Sequence, residues 1–216
     1  INNKAILVHT VNRLLSHKNI AKIILALSDG DDYYAQTALV NNPDIIRVSG
    51  GKERVDSVLN GLCAVDESQF PWVLVHDAAR PCVSHQDIDQ LIEQCLSQNS
   101  GGLLAAQVVD TIKQSESPSS NTTSTVKVSS TINRRCLWQA LTPQMYKTAE
   151  LKNAIEQALS HNMPITDESS AIELVGLSSL LVPSSRENIK ITCPEDLALA
   201  AFYLNQQRKE EENKCV

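Results

Sequence analysis

The strongest constraint on this chain is an alternation of short apolar runs with segments of helical periodicity. The runs within residues 22–28 and at Trp72–Val75 are typical of strands buried on both faces of a sheet. Residues 55–64 and the segment after Ser84 instead repeat apolar residues at the spacing of one helix face. Strands that alternate with helices of about 10–15 residues predict a three-layer, Rossmann-like α/β domain, in which helices flank a mostly parallel sheet.

The same pattern predicts the remaining elements of a single domain over residues 1–207. A capping box at Ser84-x-x-Asp87 predicts the start of one helix, and a second at Thr192-x-x-Glu195 predicts a final helix that ends near Gln207. Residues 208–216 are rich in charge and are expected to form a frayed tail. The other predicted segments are helices at residues 8–15, 148–159 and 167–175, and strands at residues 45–48, 103–106 and 188–192.

One segment, residues 115–130, breaks this pattern because ten of its sixteen residues are Ser or Thr. It is either a solvated loop or the tip of a protruding β-arm. The flanking residues 108–113 and 127–132 alternate apolar with polar side chains, which favours an arm over residues 108–136. A two-stranded arm is only marginally stable alone in water, so the sequence predicts a partner surface for it.

Composition argues against several classes of function. With 19 basic against 25 acidic residues the formal net charge is −6, so we expect no nucleic-acid partner. No apolar run approaches the roughly 18 residues of a membrane helix, and the first residues do not resemble a signal peptide. The six cysteines show no CxxC and no paired Cys/His spacing, which indicates reduced thiols in a cytoplasmic protein.

In open α/β sheets, ligands bind at the carboxyl ends of the parallel strands, so the residues that follow each strand are candidates for a site. Gly50-Gly51, followed by Arg54 and Ser57, is either a tight turn or a place where backbone N–H groups meet an anion or a base edge. The sequence alone leaves both interpretations open.

Asp77 follows the apolar run that ends at Val75. Its carboxylate could hold a ribose hydroxyl or a divalent metal, or it could cap the next helix or pair with Arg80. His76 is either a general base or a hydrogen-bonded structural residue. No Ser/His/Asp set or activated cysteine is visible, so we expect no covalent enzyme intermediate. Seven basic residues mostly lie near predicted strand ends or in the arm, which indicates either phosphate recognition or coincidental surface charge: Arg54, Arg80, Lys113, Arg134, Arg135, Arg186 and Lys190.

Five motifs, in their order along the chain, resemble those of the 2-C-methyl-D-erythritol 4-phosphate cytidylyltransferases. They are Ser49–Val58 (SGGKERVDSV), Val73–Pro81 (VLVHDAARP), Leu137–Gln144 (LWQALTPQ), Ile165–Ser169 (ITDES) and Asn188–Leu197 (NIKITCPEDL). The resemblance extends from Ile1 to about Gln207.

The resemblance implies a nucleotidyltransferase that uses Mg²⁺ to transfer a cytidylyl group from CTP to 2-C-methyl-D-erythritol 4-phosphate. The products would be CDP-methylerythritol, for non-mevalonate isoprenoid biosynthesis, and pyrophosphate. The implied catalytic residues are Asp77, which also holds the metal, Lys190 and Arg134. The implied nucleotide-binding residues are Gly51, Lys52, Ser57, Asp77 and Ala78. The implied substrate-binding residues are Asp77, Arg80, Thr111, Arg134, Thr142, Thr166 and Lys190.

The resemblance further implies a homodimer, in which the arm crosses to a second subunit and places Thr111 and Arg134 in the neighbouring active site. This chain departs from the family at Lys52, where the family often has Asp. The resemblance also begins just after the family's glycine-rich loop with its Arg and Lys, so the sequence is expected to lack that triphosphate cradle. A ribitol-5-phosphate cytidylyltransferase and a non-catalytic sugar-phosphate- or nucleotide-binding relative are the alternatives.

Overall fold

The computed structural model describes residues 1–116 and 126–214. The helices are α1 Ile6–Leu15, α2 Arg54–Cys63, α3 His85–Gln98, α4 Thr148–Ser160, α5 Glu168–Leu174 and α6 Asp196–Lys214. The strands are β1 Ile23–Leu27, β2 Ile45–Ser49, β3 Trp72–Val75, β4 Gly102–Gln107, β5 Ile112–Ser115, β6 Val128–Ile132, β7 Trp138–Lys147 and β8 Leu180–Pro183. Two short 3-10 helices lie at Tyr34–Gln36 and Arg134–Cys136.

The main sheet has the strand order β3-β7-β4-β8. Strand β7 is antiparallel to both β3 and β4, and β4 is parallel to β8. Strands β3, β4 and β8 therefore run in one direction and β7 in the other. Strands β1 and β2 form a separate parallel pair. This arrangement confirms the predicted α/β class, and the main sheet is mixed, because two of its three strand pairings are antiparallel.

The side chains of β3 alternate between two apolar clusters on opposite faces of the main sheet. Val73 and Val75 pack with α2, α4 and α5, whereas Trp72 and Leu74 pack with residues of α3. Fully buried residues such as Ile88 in α3 and Ile155 in α4 form these clusters. Each such side chain contributes about 1.5–3 kcal/mol through its burial. The helices of the two clusters and the sheet between them form the predicted three layers. The clusters pack on both faces of β3 and so hold its carboxyl end in place.

The capping predictions had different outcomes. Helix α3 begins as predicted, because the Ser84 hydroxyl accepts a hydrogen bond of 3.0 Å from the backbone N–H of Asp87. The capping box at Thr192-x-x-Glu195 is wrong. The carboxylate of Asp196, not that of Glu195, accepts from the backbone N–H of Thr192 at 2.8 Å. Helix α6 also continues to Lys214, so residues 208–214 are helical and do not form the expected frayed tail.

The predicted strand at residues 188–192 is also wrong, because this segment has no regular secondary structure. Its backbone bonds to loops, as when the Ile191 N–H donates to the Ala79 carbonyl at 2.9 Å. Strands β7 and β8 were not predicted. Pro143 interrupts the apolar pattern of β7, and proline normally argues against a central strand. Strand β8 has only four residues and ends at Pro183.

The predicted arm contains an antiparallel pair, β5 and β6. Strand β5 begins four residues later than expected, at Ile112 and not at Val108, whereas β6 ends at Ile132 as expected. The Val108 N–H still donates to the Leu137 carbonyl at 3.0 Å, so the arm strand begins only at Ile112. Most of the predicted Ser/Thr-rich tip lies outside the described residues. Within residues 1–116 and 126–214, no helix is both long and apolar enough to cross a bilayer.

Candidate active site

The centre of the site is Asp77, two residues beyond the end of β3, whose carboxylate meets three cations. Its Oδ2 lies 3.0 Å from Lys190 Nζ and 3.4 Å from Arg80 Nε, and its Oδ1 lies 3.4 Å from Arg54 Nε. The Asp77 side chain is 13 % exposed. Burial alone raises the pKa of Asp77, but the hydrogen bond from Lys190 and the charges of Arg54, Lys190 and Arg80 outweigh burial and hold that pKa below its usual value. Asp77 is therefore ionised at neutral pH, and it pairs with Arg80, which is one of the interpretations that the sequence left open.

His76 and Thr142 fix the backbone beside this carboxylate. The Arg80 carbonyl can only accept, so His76 Nε2 carries the proton and donates to it at 3.0 Å. His76 Nδ1 then accepts from Thr142 Oγ1 at 2.9 Å, and Thr142 Oγ1 accepts from the Asp77 N–H at 3.0 Å. Burial lowers the pKa of His76 to about 4, which keeps the imidazole neutral as this chain of bonds requires. His76 is thus a structural residue and not a general base.

Arg54 joins the glycine loop to the Asp77 centre. The sequence marked Arg54 only as one of seven basic residues that could recognise phosphate, and it did not single out the partner Glu168. Its guanidinium makes two hydrogen bonds to the Glu168 carboxylate, at 2.6 and 3.0 Å. Burial lowers the pKa of Arg54, but the Glu168 and Asp77 carboxylates outweigh burial and raise it overall. Glu168 is 2 % exposed. The two partners are 114 residues apart, which no local pattern could have revealed.

The glycine loop is closed onto the start of α2. The Gly51 N–H donates to Ser57 Oγ at 2.9 Å, and the Gly50 N–H donates to the Leu27 carbonyl at 2.6 Å. A Cβ on Gly51 would overlap the Cβ of Asp56, so only glycine fits at position 51. Gly51 and Ser57 are therefore brought together as predicted. Lys52 is exposed, and within the described residues it has no hydrogen bond or ion pair.

The segment that carries Lys190 runs along a cleft of about 550 Å³. The cleft lies between this segment, the base of the arm and β7. Arg80, Arg186 and Lys190 line it and supply positive charge, and Asp110 and Asp196 line it as well. Such a cleft suits a small ligand that carries phosphate.

Three further predicted residues lie around this centre. Thr142 is buried on β7, and Ala78 is exposed with its carbonyl accepting from Thr10 Oγ1 at 2.7 Å. Thr166 is exposed just before α5, and its N–H donates to Ser170 Oγ at 3.0 Å. The structure thus gathers Asp77, Arg80, Thr142 and Lys190 into one contact network, with Thr166 on the neighbouring loop.

Thr111 and Arg134 are not brought to this network. Arg134 lies in the short 3-10 helix after β6, and its guanidinium donates to the Val109 carbonyl. Thr111 is exposed just before β5. Within the described ranges, neither residue makes a hydrogen bond or ion pair with Asp77, Arg80 or Lys190.

Comparison with known proteins identifies the family. The family model described as 2-C-methyl-D-erythritol 4-phosphate cytidylyltransferase (IspD) matches residues 1–206. A protein of that name from Colwellia psychrerythraea is 60% identical over 209 residues, which cover 96% of this chain and 86% of the relative. The crystal structure of the Francisella tularensis protein of that name has a TM-score of 0.80 at 35% identity and covers 94% of this chain and 89% of that one. The Thermus thermophilus structure has a TM-score of 0.74 at 27% identity, with 92% and 88% covered. This chain belongs to the 2-C-methyl-D-erythritol 4-phosphate cytidylyltransferase family.

Proposed function

We propose that this chain transfers the cytidylyl group of CTP to 2-C-methyl-D-erythritol 4-phosphate. The observation that carries the proposal is the Asp77 carboxylate, with Arg54, Arg80 and Lys190 around it, beside a cleft of about 550 Å³. In the reaction an oxygen of the acceptor phosphate forms a bond to the α-phosphorus of CTP. The bond between that phosphorus and the bridging oxygen to the β-phosphate breaks, and pyrophosphate leaves. No protein nucleophile is needed.

The cations around Asp77 bring two anions together. Arg80 and Lys190 line the cleft, so they would hold the acceptor phosphate and lower its repulsion from the triphosphate. Asp77 fixes both cations in place, because its carboxylate contacts each of them. Catalysis of this kind depends on positioning and on charge neutralisation, and a bound geometry of the reacting atoms supplies much of the rate enhancement.

The residues fit a divalent cation bound through one carboxylate. Among the described residues no group of three or more His, Cys, Asp or Glu side chains could hold a metal on its own. Mg²⁺ is commonly bound by one or two carboxylates together with substrate phosphates. Asp77 is ionised, and among the residues that the structure describes its Oδ1 has a single polar side-chain contact, the 3.4 Å contact to Arg54. We infer that Asp77 holds Mg²⁺, which when bound neutralises charge on the triphosphate.

The glycine loop is the proposed cytidine site. Gly51 lies where a side chain would overlap Asp56, so only glycine lets the loop close onto the start of α2 beside the proposed base site. Ser57 is held against Gly51 by a 2.9 Å hydrogen bond, and the exposed Lys52 lies between them in sequence. Ala78 is small and exposed next to Asp77, which leaves room for the ribose.

We further propose that the chain acts as a homodimer, with Thr111 and Arg134 serving the site of the second subunit. Every residue of β6 except Ile132 is exposed, and Val126 and Val128 are 79% and 59% exposed. A two-stranded ribbon with so little burial requires a surface to pack on. The planar guanidinium of Arg134 suits a phosphate, because it can bind two oxygens at once.

Release of pyrophosphate, measured with CTP, Mg²⁺ and one acceptor at a time, tests this function. We expect turnover with 2-C-methyl-D-erythritol 4-phosphate and little with ribitol 5-phosphate, in agreement with the names of the matched relatives. Faster turnover with ribitol 5-phosphate would assign the alternative substrate. Binding of CTP without turnover of either acceptor would favour a non-catalytic nucleotide-binding protein.

A further inference from the structure

Asn188 is a buried polar residue in a segment that has no regular secondary structure, and it is 2 % exposed. Its Nδ2 donates to the Thr142 carbonyl of β7 at 2.9 Å, and its own carbonyl accepts from Arg80 Nη1 at 2.8 Å. Three residues later, the Ile191 N–H donates to the Ala79 carbonyl at 2.9 Å. The segment is therefore attached at both of its ends, to β7 and to the loop after β3.

Lys190 lies between these two attachments, and its ammonium reaches Asp77 Oδ2 at 3.0 Å. A lysine side chain has four flexible carbons, so the position of its charge depends on where its backbone is held. No strand ladder holds this backbone. Asn188 takes over that role, and the same residue also orients Arg80, the second cation on Asp77 Oδ2.

The carboxamide of Asn188 is only half satisfied. Its Oδ1 is buried and, in the part of the chain that the structure describes, has no hydrogen-bond partner. A buried acceptor without a partner costs free energy. The burial of this side chain is therefore explained by the hydrogen bond that Nδ2 donates, because Oδ1 makes no hydrogen bond in the described residues.

We propose that Asn188 is a positioning residue of the transfer reaction. Through its hydrogen bond to the Thr142 carbonyl, Asn188 holds Lys190 and Arg80 in position against Asp77. The inference rests on the proposed function. It predicts that Asn188 affects the acceptor phosphate, which Lys190 and Arg80 hold, and leaves the cytidine site at Gly51 and Ser57 unaffected.

Steady-state kinetics of the full chain with CTP and 2-C-methyl-D-erythritol 4-phosphate test this proposal. For Asn188→Ala we expect kcat to fall by about tenfold to a hundredfold, because small misplacements of catalytic groups have effects of that size. KM for the acceptor should rise, while KM for CTP stays within about twofold. Asn153→Ala, which removes an exposed Asn of α4, is the matched control and should behave as wild type. A loss of kcat with both KM values unchanged would indicate only less folded enzyme and would overturn the proposal.

Asn188→Asp separates the donor from the shape of the side chain. An ionised carboxylate has no hydrogen to donate to the Thr142 carbonyl, whereas a protonated carboxyl has one. The ratio of variant to wild-type kcat should therefore rise as the pH is lowered from about 8 to about 6, since burial raises the pKa of a carboxyl. A pH-independent ratio, or loss of folded protein in both variants at every pH, would overturn the proposal. An inactive wild type would instead refute the proposed function itself.

Discussion

The Asp77 centre and the arm both carry residues that the family resemblance implies for the site, yet they differ in the contacts that these residues make within one chain. Asp77, Arg80, Thr142 and Lys190 contact one another within a single chain. The arm strands β5 and β6 are mostly exposed, and the Arg134 guanidinium, within residues 1–116 and 126–214, donates only to the nearby Val109 carbonyl. The resemblance thus implies site residues of two kinds: some contact one another within this chain, whereas Thr111 and Arg134 make no contact with the Asp77 centre among the described residues.

Removal of the arm, residues 108–132, should have the largest effect, because the proposed dimer and the Thr111 and Arg134 contributions would both be lost. We expect a monomer without measurable transfer activity, as judged by sedimentation together with pyrophosphate release. Shortening the arm only within residues 115–125 is the matched control, and it should weaken dimerisation modestly. An active monomer that lacks the whole arm would show that the active site does not need the arm, and it would contradict the proposed shared site.

Asp77→Asn should reduce kcat by about a hundredfold or more, the scale for loss of a preorganised charge interaction. The neutral amide would no longer fix Lys190 and Arg80, and it would be a poor ligand for Mg²⁺. Asp66→Asn, at an exposed carboxylate outside the site, is the control. Near-normal turnover in folded Asp77→Asn would reduce Asp77 to a structural role.

His76, next to the Asp77 centre, makes the stability of the folded chain depend on pH. The pKa of His76 is about 4 in the folded chain, below its ordinary value of 6.5, so the unfolded chain binds more protons between these two pH values. Stability should therefore fall as the pH is lowered from 6.5 towards 4. His76→Gln, which does not titrate, should lose less unfolding free energy over that interval than wild type. Denaturant unfolding at several pH values measures the difference, and equal losses in both proteins would contradict the neutral, buried imidazole.

The sequence predicted the elements whose patterns are local. Strand β3 was predicted with its exact bounds, because its apolar run is continuous and ends at His76. Helix α3 was predicted from the Ser84 cap and one apolar face. The segment at 188–192 was mistaken for a strand because its alternating pattern reflects attachment to the site and not a place in the sheet.

The site could be predicted only in part, because only some of its residues are marked by a local pattern. Asp77, Arg80 and Lys190 stand out because they follow apolar runs or belong to specific motifs. The pair of Arg54 and Glu168, and the bond from Asn188 to Thr142, join residues that are far apart in the chain. Only the packing of α2, α5 and β7 around the end of β3 brings them together.

Mixing two inactive variants tests most directly whether the Asp77 centre of one subunit and the arm of the other subunit form one active site. Arg134→Ala and Asp77→Asn should each be nearly inactive alone. After subunit exchange, random pairing makes half of the dimers mixed, and each mixed dimer has one site with both residues intact, so about a quarter of wild-type activity should return. Wild-type chains carried through the same exchange provide the reference. If subunits exchange freely and no activity returns, Arg134 acts in its own subunit and the shared site is contradicted.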